Sequence, residues 1–281
     1  METFGKETPN NQEEGDKKYF KEKIGNIAVY FSNRQEINKS LLNNINKIKK
    51  DENYLNYSKA GQKLELSKMG ISSGGPNTYV FSKIDDKDKY SDNYFDCTGL
   101  LVTGIQRGTN KKISFITHQD PEFFVKNSEN KKSFKKELDN KLDDFINKCE
   151  IDSIDTVIFG GNIIASEKGD IFDENFVAGR DDIEDVERYF PNKYANYRDS
   201  VKLLDFIVFN KIKKHPIVAL GPNDNWDSPD NTYGESKHSL STYFDNENNK
   251  LYLVGPTRTH PESFSAKDIY EKIEELENDK Q

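Results

Sequence analysis

The chain has 281 residues, with 41 Lys and Arg against 49 Asp and Glu and a formal net charge of −8. That acidic balance argues against a general nucleic-acid binder, which needs a basic surface to displace counterions from phosphates. Hydrophobic residues are 33% of the chain and charged residues 32%, so one core is expected, with the polar excess in loops, tails and solvated helix faces.

No apolar run approaches the roughly 20 residues that span a bilayer. The polar start, METFGKETPNNQEEGDKK, lacks a signal-peptide core, so a cytoplasmic protein is expected, or one delivered to another cell by a route without a cleaved signal. The two cysteines, Cys97 and Cys149, are then expected as reduced thiols. With His118, His215, His238 and His260 they are too dispersed for a structural zinc site, and no CxxC, HExxH, GxGxxG or Walker-type loop is present. No metal and no cofactor is expected; any catalysis falls to ordinary side chains.

In chain order, residues 1–18 read as a polar tail. Ile27 to Phe31 suggests a short strand, and Ile37, Leu41, Leu42, Ile45 and Ile48 recur at helical spacing. The Gly-rich loop at Gly70, Gly74, Gly75 and Pro76 places a boundary near residue 75. Residues 1–75 are thus expected as a polar extension with an amphipathic helix, 76–260 as the main domain and 261–281 as a C-terminal helix. Thr78 to Phe81 reads as a strand and Asp85 to Asp92 as a charged loop. Cys97 to Ile105 is a nearly continuous apolar run, a buried strand. A turn at Arg107-Gly108-Thr109-Asn110 leads to a second strand, Ile113 to His118, completing a hairpin.

Residues 128–149 carry Phe134, Leu138, Leu142 and Phe145 on one helical stripe. A strand at Thr156 to Phe159 ends in Gly160-Gly161-Asn162, a permissive corner. Residues 166–198 read as an acidic insertion, with an Asp/Glu run at 181–187 as a solvated face. Asp199 is a candidate cap for a helix with Val201, Leu204, Ile207, Val208 and Ile212 inward. Strands at Pro216 to Leu220 and Leu251 to Val254 follow, and a helix from Ser265 to Asp279 closes the chain. Long helices directly before buried strands give an α/β class, a layered sandwich of mixed or antiparallel sheets flanked by helices.

Cys97 begins one strand of the proposed hairpin and His118, 21 residues on, ends its partner. Antiparallel pairing brings those two ends side by side. A thiol beside an imidazole is the minimal unit of nucleophilic cysteine catalysis. The N–H groups of Thr98 and Gly99 are candidates to hold an oxyanion, with Gly99 letting substrate approach closely. The imidazole needs an orienting acceptor; Ser91, Asp92, Asp96, Gln119 and Asp120 are all available. Asn162 is a candidate pocket residue, and Trp226 a substrate contact or a packing residue. Cys149 reads as structural, His215 as the start of a strand, and His238 and His260 as loop residues.

Residues 91–118 resemble the catalytic hairpin of the CheD-type chemoreceptor glutamine deamidases, whose fold is shared by the catalytic domains of cytotoxic necrotizing factor and Burkholderia lethal factor. In that family a Cys begins a glycine-containing apolar strand, the His ends the next one, and a Thr lies six residues before the Cys. Cys97 and His118 match the first two, and Ser91 stands six residues before Cys97. The similarity continues through Thr156 to Asn162 and from Arg198 to Ala219, covering about residues 78–255. Asp96 before the nucleophile and Gly221 to Trp226 after the later strand depart from the pattern. The resemblance implies a protein glutamine deamidase or transglutaminase whose partner is a protein with an exposed glutamine. A cysteine peptidase and a non-catalytic interaction protein on the same fold are the alternatives.

Overall fold

The computed structural model describes residues 20–33, 39–48, 54–55, 79–94, 97–119, 128–160, 193–219, 240–255, 263–268 and 270–271. The strands are β1 (Phe20–Ile24), β2 (Ile27–Asn33), β3 (Tyr54–Leu55), β4 (Tyr79–Phe81), β5 (Lys89–Tyr94), β6 (Thr98–Ile105), β7 (Lys112–Gln119), β8 (Asp155–Gly160), β9 (Ile217–Ala219), β10 (Leu240–Asp245), β11 (Lys250–Gly255) and β12 (Ser263–Ser265). The helices are α1 (Lys39–Ile48), α2 (Ser128–Lys148) and α3 (Lys193–Ile212), with a 3-10 turn at Ile151–Ser153.

The fold is α/β, with two mixed six-stranded sheets. The first has the order β1-β2-β11-β10-β5-β3 and the second β12-β9-β8-β6-β7-β4. Most neighbours are antiparallel; β2 with β11, β3 with β5, and β8 with β9 are parallel. Residues 20–55, read from the sequence as part of an extension, supply β1, β2 and β3 to the first sheet. No helix among the described residues is long and apolar enough to cross a membrane.

Strand alternation sorts the core into layers. On β6, Leu100 and Val102 face the helices, where they meet Phe134, Leu138, Leu142 and Phe145 of α2 and Val201, Leu204 and Val208 of α3. Each such fully buried Leu or Phe contributes on the order of 2 kcal/mol. On the other face of the same strand, Leu101 joins Ile116, Val157 and Phe159 against Val29, Phe244, Leu251 and Leu253 of the first sheet. α1 places Ile45 on Tyr90 and Tyr243, the outer face of the first sheet.

Four elements differ from expectation. Lys89–Tyr94 is a strand, although Asp85 to Asp92 read as a charged loop; Lys89 is wholly buried and its charge is matched internally by Asp85. β10 precedes the turn at Asn246 and pairs with β11 as a hairpin. α3 begins at Lys193, so Asp199 lies inside the helix. Near the C-terminus a strand, Ser263–Ser265, pairs with β9 before helical backbone begins at Ala266. The acidic run at 181–187, Asn162, Trp226, His238, His260, Asp96 and Asp120 lie outside the described residues.

Candidate active site

β6 and β7 form the expected hairpin, closed by a turn in which Gly108 and Asn110 take positive φ of 73° and 55°. Its register pairs Thr98 with Gln119 and Leu101 with Ile116. Gly99 therefore stands opposite His118, and Cys97 lies diagonally across from the imidazole on the same side of the sheet. That side faces the first sheet, where Cys97 packs in one cluster with Tyr94, Leu101, Ile116 and Phe159. Both cysteines are buried thiols.

Ser91 arrives from the opposite sheet. Its Oγ lies 3.0 Å from His118 Nδ1, and both residues are fully buried. Tyr94, three residues further along β5, also reaches the imidazole. Its ring stacks on that of His118 with centroids 3.9 Å apart and planes 14° apart, and its hydroxyl donates to the Thr117 carbonyl at 3.0 Å. Residues three apart on a regular strand point to opposite faces. The register between β5 and β10 shifts between Leu240 and Thr242, and this irregularity turns Tyr94 inward beside Ser91.

Gly99 fills a different role from that expected, whereas Gly160 is the permissive corner the sequence suggested. A Cβ at Gly99 would overlap the Phe159 ring, so the space over Gly99 is taken by Phe159 and is not left open for substrate. Gly160 has a φ of 77°, and a Cβ there would lie 2.6 Å from the Cys97 carbonyl oxygen. It holds the end of β8 against the residue before β6.

Gln119 turns away from the imidazole. It lies on the helix-facing side of β7, where its Nε2 donates to Thr98 Oγ1 at 3.1 Å and its Oε1 accepts from Thr117 Oγ1 at 2.6 Å. Thr98 Oγ1 also meets Ser200 Oγ of α3 at 3.0 Å, and Leu100 N–H donates to Thr117 Oγ1 at 2.9 Å. The Gln119–Thr98 and Leu100–Thr117 bonds join β6 to β7 where direct pairing lapses at residues 99 and 100, and the Ser200 contact ties β6 to α3. They brace the hairpin directly behind Cys97 and His118.

Burial pushes the His118 imidazole down to a pKa of about 3, so it is neutral near pH 7 and a weaker base than a solvated imidazole. Cys149 sits elsewhere, against Gly104 and Phe145, and burial raises its thiol to about 11. His215 lies two residues before β9, and it makes a contact that sequence reasoning missed. Its Nδ1 lies 2.8 Å from Asp205 Oδ1, and its ring stacks on Phe209. No group of three His, Cys, Asp or Glu among the described residues is placed to hold a metal ion.

Comparison with protein-family models, curated proteins and solved structures finds no match.

Proposed function

We propose that the chain is a Cys–His amidohydrolase of the CheD and cytotoxic necrotizing factor type, acting on a glutamine side chain of a partner protein. The observation that carries this reading is the Ser91 contact. A hydroxyl six residues before the candidate nucleophile meets His118 Nδ1 at 3.0 Å, while Cys97 lies on the same face of the hairpin. In that arrangement Nδ1–H donates to Ser91 Oγ, and Nε2 carries the basic lone pair.

His118 Nε2 takes the Cys97 proton, and the thiolate attacks the carboxamide carbon. Of the two expected oxyanion donors, the N–H of Thr98 is the candidate that remains, because Phe159 covers Gly99. The C–N bond breaks as His118 returns the proton, and ammonia leaves a thioester. Water then gives a proton to His118 and attacks the thioester; the C–S bond breaks, the thiol is restored and glutamate is released. An amine in place of water makes the same site a transglutaminase.

The test is ammonia release from glutamine-bearing proteins, with the converted glutamine located by peptide mass. Cys97→Ala and His118→Ala should abolish it. Release that persists in Cys97→Ala ends the assignment.

A second reading, an interaction protein that keeps this fold without catalysis, is favoured by burial: His118 is 0% exposed and Cys97 7%. Thiol labelling separates the two. A nucleophilic Cys97 alkylates near neutral pH far faster than Cys149, whereas equally slow labelling favours the binding protein.

A further inference from the structure

We propose that Thr242 is the substrate-holding hydroxyl of the Cys97 site and selects a primary carboxamide; this rests on the amidohydrolase reading above. Thr242 stands directly opposite Ser91 in the pairing of β10 with β5. Directly opposed residues share a face, so its side chain points between the sheets, as does that of Phe244 two residues on. Ser91 is the group that meets His118 Nδ1. Thr242 thus occupies the position beside the imidazole's partner, one strand across.

Thr242 is fully buried, and its Oγ1 has no hydrogen-bond partner among the described residues. A valine of the same shape would carry no such desolvation penalty. A hydroxyl kept there at a cost to stability has its use when a ligand enters. In the strand register its neighbours are Ser91 on β5 and Leu253 on β11, and the neutral imidazole lies beyond Ser91. Lys89, on the same inward face two residues before Ser91, is tied to Asp85 and to the Lys87 carbonyl. Such a wall disfavours a charged ligand and suits an uncharged one that can both accept from the hydroxyl and donate to it. A primary amide meets both conditions, with Thr242 Oγ1 accepting one of its N–H groups. An ester or a tertiary amide has no such hydrogen.

Two matched alkylating reagents test this on the full chain without a known substrate. Iodoacetamide carries a primary amide, and N,N-dimethyl-2-iodoacetamide is the same electrophile without the amide hydrogens. Peptide mapping separates labelling of Cys97 from that of Cys149. Thr242→Val should lower the ratio of the two rates at Cys97 by about tenfold, the worth of one buried hydrogen bond. Thr242→Ser should keep the wild-type ratio, and the Tm of Thr242→Val should equal or exceed that of the wild type. An unchanged ratio in Thr242→Val overturns the proposal while leaving Cys97 a nucleophile. So does a lowered Tm that Thr242→Ser restores, because the hydroxyl is then bonded within the protein. A wild-type Cys97 inert to both reagents removes the amidohydrolase reading and this proposal with it.

Discussion

Ser91 Oγ and His118 Nδ1 meet at 3.0 Å across the sandwich, one carried by β5 of the first sheet and the other by β7 of the second. The contact forms only when the two sheets close on each other, so the geometry of the site is a product of core packing. Ser91→Ala removes the hydroxyl and leaves Nδ1 buried without it. Loss of one such orienting bond, at about 1–2 kcal/mol, should lower the rate of ammonia release by roughly 5- to 30-fold. KM should change little, and Ser91→Thr should retain most of the rate. Equal rates for Ser91→Ala and the wild type would remove Ser91 from the machinery.

The buried imidazole gives stability a defined pH dependence. In the folded protein His118 titrates near 3, held down by burial, against 6.5 for the free side chain. Between those values the unfolded chain binds more protons, so stability rises with pH by up to about 1.4 kcal/mol per unit and levels off above about 6.5. The contribution is fully present above the unfolded value and is lost as pH falls toward the folded one. His118→Phe keeps an aromatic ring for Tyr94 to stack on and removes the proton site. The stability difference, wild type minus His118→Phe, should therefore grow from pH 4 to 6.5 and then stay constant. A difference that is flat over that range would show that the native imidazole titrates like a solvated one.

The two thiols should separate cleanly in native protein. Cys149 is fully buried and its pKa is raised to about 11. Near pH 8 about one molecule in a thousand then carries the thiolate at that position. Mass-mapped alkylation of native protein should leave Cys149 unlabelled over a period in which Cys97 reacts, and unfolding in guanidinium should expose both. Labelling of Cys149 at the Cys97 rate in folded protein would contradict this assignment of their environments.

The parts of the site carried by one hairpin were legible in the sequence, because the apolar run from Cys97, the Gly108 turn and His118 are local. From the residues alone Ser91 was one of five acceptors, since choosing among them requires the packing of the two sheets; the six-residue spacing in the family resemblance is what singled it out. Its strand was hidden by charge: Lys89 reads as a solvated loop residue, yet it is fully buried with Asp85 beside it. Tyr94 was missed because strict alternation turns it away from Ser91, and only the irregular register with β10 reverses that. Thr242 had no signal beyond a run of β-forming residues before the Asn246 turn. Gln119 misled in the opposite direction. Adjacent to His118 in the chain, it necessarily faces the other side of the sheet.

Gly99 and Phe159 form a steric pair whose coupling can be measured. A Cβ at position 99 would overlap the Phe159 ring and approach the Thr117 carbonyl oxygen to 3.0 Å. Gly99→Ala should therefore destabilise the fold by about 1–3 kcal/mol, the usual cost of overpacking a dense core. Phe159→Leu leaves a smaller side chain in a fully buried place and should also destabilise on its own. In the double variant the smaller side chain relieves the new methyl group, so the two losses should sum to less than additive by about 1 kcal/mol. The relief is partial, because the Thr117 carbonyl belongs to the backbone and cannot withdraw. Urea denaturation of the four proteins in this cycle gives the coupling directly. Additive losses would mean that the ring does not rest on Gly99, and the space over the candidate nucleophile's strand would then have to be assigned to another group.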